Sequence, residues 1–219
     1  MSTPVHHIIR NNRFWLSPQR CLYWEQQQAL IVSDLHLGKT GHFRKQGIAV
    51  PQAVYKEDLQ RLFSEVQYYK PKQLIIVGDM FHSKENRELA LFVRWRNDIS
   101  QVDVHLVKGN HDILKDEWYS NANINISQEQ LCIEEFIFTH DATATNCAGS
   151  QQPYVFSGHI HPGVSIQGLA RQSLTFPCFY FGEQYAVLPA FSKFTGVKAM
   201  HKNKGAKLFA IVNQSVIEV

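Results

Sequence analysis

The chain has no apolar run near the roughly 18–20 residues that a membrane-spanning helix needs, so a membrane protein of that kind is not expected. Its four cysteines (Cys21, Cys132, Cys147 and Cys178) are scattered, with no CxxC pair. That excludes a cysteine zinc cluster and points to a reducing compartment. The N-terminus lacks a basic stretch followed by an apolar one, so no signal peptide is read and a cytoplasmic location is expected. There is no internal repeat, low-complexity tract or long linker. A formal charge of +3 is too small to show a nucleic-acid partner by itself. What is present is 219 residues, 44% hydrophobic and 19% charged, the composition of a globular chain. A chain of this size buries roughly 70% of its unfolded surface, enough for a core without disulfides. The unusual component is histidine, at eleven residues.

The first half alternates strand and helix patterns. Ala29–Ser33, Leu74–Val77 and Val102–Val107 are short runs rich in β-branched residues, each followed by polar residues or glycine. Such runs read as buried parallel strands. Between them, residues 53–69 place Val54, Leu59, Leu62, Phe63 and Val66 at helical spacing after Pro51, and residues 85–99 do so with Leu89, Phe92, Val93 and Trp95. After residue 120 the pattern turns to short strands: 131–133, 136–139, 154–156, 164–166, 178–181, 186–188 and 208–212. Residues 13–24 also read as β. The expectation is an α/β fold, a two-sheet βαβ sandwich with helices outside, forming one domain over 1–219. Its motif core spans 29–166 and a β-rich tail spans 167–219.

Chemistry gathers where the strands end. Asp34-Leu35-His36 follows the first, Gly78-Asp79 the second and Gly109-Asn110-His111-Asp112 the third; His140-Asp141 and Gly158-His159-Ile160-His161 follow two later ones. Ligands of open α/β sheets bind outside the carboxyl ends of strands, so these side chains should converge. Carboxylate, imidazole and amide ligands without thiolate suit manganese, iron or zinc. In Asp34-x-His36 and His159-x-His161, extended-strand alternation would send both side chains of each pair to one face. Seven candidate ligands exceed the four to six positions of one ion and suit two. Asp79, leaving a glycine turn, can bridge them. Two such ions clamp a phosphoryl group and acidify water. Asp112 is placed to orient or charge-stabilise the His111 imidazole. Gly78, Gly109 and Gly158 would let the chain turn closely beside the ligands.

These motifs, in this order, resemble the calcineurin-like metallophosphoesterases. A narrower likeness joins Leu22-Tyr23-Trp24, Asp34 to Lys39, Phe43-Arg44, Gly47, Pro51, Gly78 to Ser83, Pro177-Cys178-Phe179, Leu188-Pro189-Ala190-Phe191 and Phe194-Thr195-Gly196. Together they resemble the bacterial DNA ligase-associated group of that superfamily (PdeM). The resemblance implies that Asp34, His36 and His161 bind a first metal, that Asp79 bridges, and that Asn110, His140 and His159 bind a second. It implies that His111 protonates the leaving oxygen, an apt role for an imidazole beside a poor alkoxide leaving group. The implied function is a phosphodiesterase or nuclease acting on DNA in repair, beside a ligase, a helicase and a nuclease. Manganese is the expected ion, with iron, zinc or magnesium as alternatives. The family's fourth motif commonly carries glycine after its histidine; Asp141 stands there instead. It could support the second site, perturb it, or face solvent.

The candidate substrate contacts are Lys39, Arg44, His82 and Arg171; Lys45 shares the segment of the first two. Lys193, Lys198, Lys202, Lys204 and Lys207 form a loose basic stretch that can follow a phosphate backbone or simply be solvated. Phe176, Phe179, Tyr180 and Phe181 can stack bases or fill a core. His82 can support the site or pack on the following helix, and His105, inside a strand, reads as a packed histidine. Two other functions stay open: hydrolysis of a small nucleotide ester, and a silent metal-stabilised interaction module.

Overall fold

The structure is a computed structural model that describes residues 3–38, 53–82, 86–142, 152–168 and 173–219. Two sheets stack face to face. The first has seven strands in sequential order: β1 (Val5–Ile9), β2 (Asn12–Ser17), β3 (Cys21–Trp24), β4 (Ala29–Ser33), β5 (Gln73–Val77), β6 (Asp103–Val107) and β7 (Ile124–Ser127). Pairing is antiparallel from β1 to β4 and parallel from β4 to β7. The parallel half is connected through helices α1 (Ala53–Tyr69), α2 (Asn86–Asp98) and the short α3 (Asp116–Asn121).

The second sheet holds nine strands: β8 (Gln130–Ile133), β9 (Phe136–Thr139), β10 (Tyr154–Ser157), β11 (Pro162–Gln167), β12 (Ser173–Phe181), β13 (Tyr185–Val187), β14 (Lys198–Ala199), β15 (Lys207–Val212) and β16 (Ser215–Glu218). Strands β9, β10 and β13 run parallel, so β9 and β10 end on one edge. The chain is thus a two-sheet α/β sandwich. Helices cover the first sheet; the outer face of the second is covered by Ala206, Met200 and Val219, packed on Cys178, Tyr180 and Leu208.

Strand alternation sorts the core. In β4 and β5, Leu30, Val32, Leu74 and Ile76 face the helices and meet Leu62, Val66 and Phe92. Ile31, Ile75 and Val77 face the second sheet and meet Phe136, Phe138, Phe156 and Phe179. Phe14, Trp24 and Phe136 lie within 5.4 Å of one another between the sheets. The Trp24 indole N–H donates to Asn12 Oδ1 at 2.8 Å, so the ring buries no unpaired donor. Both faces of the parallel strands are covered, which is why their sequences read as continuous apolar runs.

Candidate metal centre

The exits of β4 and β5 do not separate at the strand ends. Asp34 N–H donates to Gly78 O, His36 N–H to Asp79 O and Leu37 N–H to Met80 O, and His82 N–H returns to Leu37 O. The two turns therefore form one unit that presents Asp34, His36 and Asp79 together. Local backbone is unusual here: Asp34, His36, Asp79, His159 and His161 all have φ between 45° and 65°. Non-glycine residues in the left-handed region each cost about 1–3 kcal/mol and persist only where surroundings over-determine them. This corrects the expectation that extended alternation aims the two side chains of each His/Asp pair. Left-handed turns beyond the strands aim them instead. His159 and His161 consequently reach different groups.

Those groups are compact. Asp34, His36 and His161 place one ligand atom each within 4.8 Å of one another, and so do Asp79, His140 and His159. In the first, His36 Nε2 lies 3.2 Å from His161 Nε2, and Asp34 Oδ1 lies 3.4 Å from His161 Nε2. In the second, His140 Nε2 is 3.4 Å from Asp79 Oδ2, 3.1 Å from His159 Nδ1 and 3.0 Å from Asn110 Oδ1. Asp79 Oδ2 is also 3.9 Å from His36 Nε2, so one carboxylate borders both groups. Asp34, His36, Asp79 and His140 are buried; His161 is partly so, while Asn110 and His159 are exposed.

Close packing around the ligands requires missing side chains. A Cβ on Gly78 would fall 1.9 Å from His140 Nδ1, and Gly78 has φ +77°. A Cβ on Gly158 would fall 1.9 Å from Ser33 Oγ and 2.5 Å from Asp34 Oδ2. The Asp34 carboxylate accepts from the Ser33 hydroxyl and the His159 N–H, which fixes its orientation. Ser33 was not singled out from the sequence; a serine that closes an apolar strand carries no signal of its own.

Electrostatics favour a cation. Burial pushes the Asp79 pKa up, but the His140 hydrogen bond and charge, the His111 amide and His36 outweigh it and hold it down to about 2. Burial disfavours the charged form of His140, yet Asp79 and Asp34 raise its pKa overall. The pocket thus stabilises positive charge between buried carboxylates, and a divalent ion would take the same electrostatic place as that proton. The described donors are oxygen and nitrogen without thiolate, a set suited to such ions.

A family model for calcineurin-like phosphoesterases matches residues 28–161, more than half of the chain. The chain belongs to the calcineurin-like phosphoesterases. Among solved structures, this phosphoesterase is similar to the Pseudomonas putida nuclease MPE, 27% identical over 99% of this chain and 100% of that one, with a TM-score of 0.82. It also matches YfcE, a phosphoesterase from E. coli, at 17% identity over 87% of this chain and 97% of that one, with a TM-score of 0.48. No curated protein sequence matches it.

Other expected site residues of this phosphoesterase distribute unevenly. The His111 imidazole lies at the centre's edge, 43% exposed, with Nε2 4.0 Å from Asp79 Oδ2. Its amide donates to Asp79 Oδ1 at 2.9 Å, fixing the turn. Asp112 does not orient that imidazole. Its buried carboxylate accepts from the amides of Met80, Phe81 and Gly109 at 2.9–3.1 Å, with the Tyr119 hydroxyl at 3.5 Å. Burial, helped by the Asp79 charge and opposed by those amides, pushes its pKa up to about 6. The ring beside His111 is His82, 4.3 Å away and 5.5 Å from His36.

Asp141 is half-buried and in neither ligand group. Lys39, Arg44, Lys45 and Arg171 lie outside the described residues. Phe179, Tyr180 and Phe181 are buried in the core and offer no stacking platform. His105 is a half-buried strand residue, as expected, and burial lowers its pKa.

The basic stretch divides. Lys198 begins β14, which pairs with Pro162–Gly163, and its amide donates to His161 O at 2.8 Å. Lys202 donates to Val219 O and Lys207 begins β15, which is three strands across the sheet from β10. No helix among the described residues is long and apolar enough to cross a membrane.

Proposed function

We propose that this phosphoesterase is a dinuclear, manganese-dependent phosphodiesterase that cleaves DNA in bacterial repair. The observation that carries the reading is the pair of three-residue ligand groups bordered by one shared carboxylate, Asp79, at a single sheet edge. The likeness to the nuclease MPE along nearly the whole chain supports a nucleic acid as the substrate class.

In this reading Asp34, His36 and His161 hold one ion, Asn110, His140 and His159 the other, and Asp79 both. Bound ions supply positive charge to phosphoryl oxygens and lower the pKa of water. The chain's own contributions surround that chemistry. His111 is open to solvent at the rim and positioned by its amide, so it can give a proton to the leaving alkoxide. His82 packs against its ring and restricts the orientations it samples. Asp112 ties the third strand's turn to the second and so spaces His111 from Asp79. Lys39, Arg44, His82 and Arg171 are proposed phosphate contacts. The whole chain is read as one catalytic domain, cytoplasmic, working beside a ligase, a helicase and a nuclease.

The test is turnover by protein stripped of metal and reloaded with Mn²⁺. Single- and double-stranded DNA are compared with bis-p-nitrophenyl phosphate and cyclic nucleotides. DNA cleavage is expected; turnover confined to the small esters would replace DNA with a small nucleotide substrate.

A further inference from the structure

The segment Leu188 to Phe194 resembles a subgroup motif but supplies no ligand, and the structure shows what it touches. Ala190 bridges Ser33 in parallel, Phe191 N–H donates to Ser33 O at 2.7 Å, and Ser192 N–H donates to Asp34 O at 3.3 Å. The segment's donors thus lie on the backbone of Ser33 and of Asp34, a candidate metal ligand. Its acceptors face the other way, onto two arginines. Arg20 Nη1 donates to Ala190 O at 3.3 Å and to Ser192 O at 2.8 Å, and Arg61 Nη2 donates to Phe191 O. The Arg61 guanidinium also sits 4.0 Å over the Phe191 ring and pairs with Asp58 Oδ1 at 2.9 Å. Burial raises the Asp58 pKa, and the Arg61 charge, then the Ser192 hydroxyl and the Lys193 amide, oppose that rise.

We infer that Arg20, Asp58 and Arg61 are positioning residues that press residues 190–192 onto β4 and thereby hold Asp34 in its left-handed, ligand-presenting conformation. The inference rests on the metal reading of the Asp34 group. Packing alone does not account for the cluster. The Arg61 side chain is 9% exposed, and its Nε and Nη1 are buried without a hydrogen-bond partner among the described residues. Arg61 pairs with the Asp58 carboxylate while Arg20 feels its charge without a direct contact, and the Arg20 pKa falls to about 10, through burial first and then the Arg61 charge. Buried ionic clusters are weak sources of stability, and fixing one geometry is a better-attested use of them. Here the geometry fixed is the peptide that follows Asp34, whose carbonyl has the Ser192 N–H as partner.

The test follows stepwise Mn²⁺ binding to the full chain by electron paramagnetic resonance and calorimetry. His161→Ala marks the step belonging to the Asp34 group, and His159→Ala marks the other. Arg61→Met keeps the cover over Phe191 but loses the charge and its bonds; Asp58→Asn keeps the shape but loses the counter-charge. Both are expected to weaken the Asp34-group step at least tenfold and to move the other step less than threefold. Ser192→Ala, a smaller change in case Arg61→Met does not fold, is expected to weaken the same step about threefold. Unchanged steps in folded variants, or equal weakening of both, would overturn the inference. A parent chain that binds no Mn²⁺ would overturn the metal reading together with it. A parent with two steps, matched by its variants, would overturn the inference alone.

Discussion

Asp79 and His111 show how much of the chemistry depends on single side chains. Asp79 borders both ligand groups, so Asp79→Ala should lose both ions; metal analysis that finds two retained would refute the shared role. His111 is in neither group, so His111→Ala should keep bound metal and lose roughly 10²–10⁴-fold in turnover. Full activity in that variant would remove it from proton transfer. Gly158 tests the space around Asp34. A methyl there cannot coexist with Ser33 Oγ at 1.9 Å or Asp34 Oδ2 at 2.5 Å, so Gly158→Ala should weaken metal binding through Asp34 without replacing any ligand. At this scale the sequence was informative because ligand types are conspicuous at strand ends. It misled on Asp112, since adjacency to His111 suggested a contact that the turn directs to backbone amides instead. It could not show the left-handed backbone at Asp34, His36, Asp79, His159 and His161. Nothing in an aspartate or histidine announces that conformation, and only packing around it makes it tolerable.

Among the elements, those with strong periodicity were legible. Helix α1 occupies the expected residues 53–69, and β4 the expected 29–33. Helix α3, six residues long, is too short to display a helical pattern, and β7 and β16 are four-residue strands without a motif at their ends. Strand β1 was missed as well, although it carries a titratable residue with a consequence. His7 rests on Phe181 at 4.5 Å and on Phe209 at 5.4 Å. Burial, then the Lys207 charge, lowers its pKa from 6.5 to about 4 despite Glu218. The unfolded chain then binds a proton that the folded chain does not as pH falls from 6.5 towards 4, so stability is lost over that window. Partial exposure limits the loss to about 1–2 kcal/mol. His7→Phe keeps the ring contacts and should flatten the acid limb of a stability curve; an unchanged limb would show that His7 does not titrate differently in the fold. The aromatic layer should be less forgiving at any pH. Phe156→Ala, fully buried among Phe14, Phe136 and Phe138, should cost about 3–5 kcal/mol in denaturant unfolding.

For the whole molecule, sheet topology decides which surfaces can serve the centre. The sandwich brings the exits of β4, β5, β6, β9 and β10 to one edge, and the sequence revealed this through motif order. It did not reveal that the basic stretch splits, because linear proximity of lysines says nothing about strand order. Lys198 flanks His161 through β14, whereas Lys202 bonds Val219 O just past β16 and Lys207 begins β15. Lys198→Glu should therefore weaken DNA binding and reduce the salt slope by about one unit. Lys207→Glu should leave that slope unchanged, and equal effects from both would return the stretch to a single binding track.

The central claim is that two ions at this edge drive cleavage of DNA. Bound Mn²⁺ and DNA cleavage measured along one titration of metal-stripped protein test it most directly. The account predicts saturation at two equivalents, with cleavage rising as the second is filled. Saturation at one equivalent, or cleavage indifferent to added Mn²⁺, would contradict it.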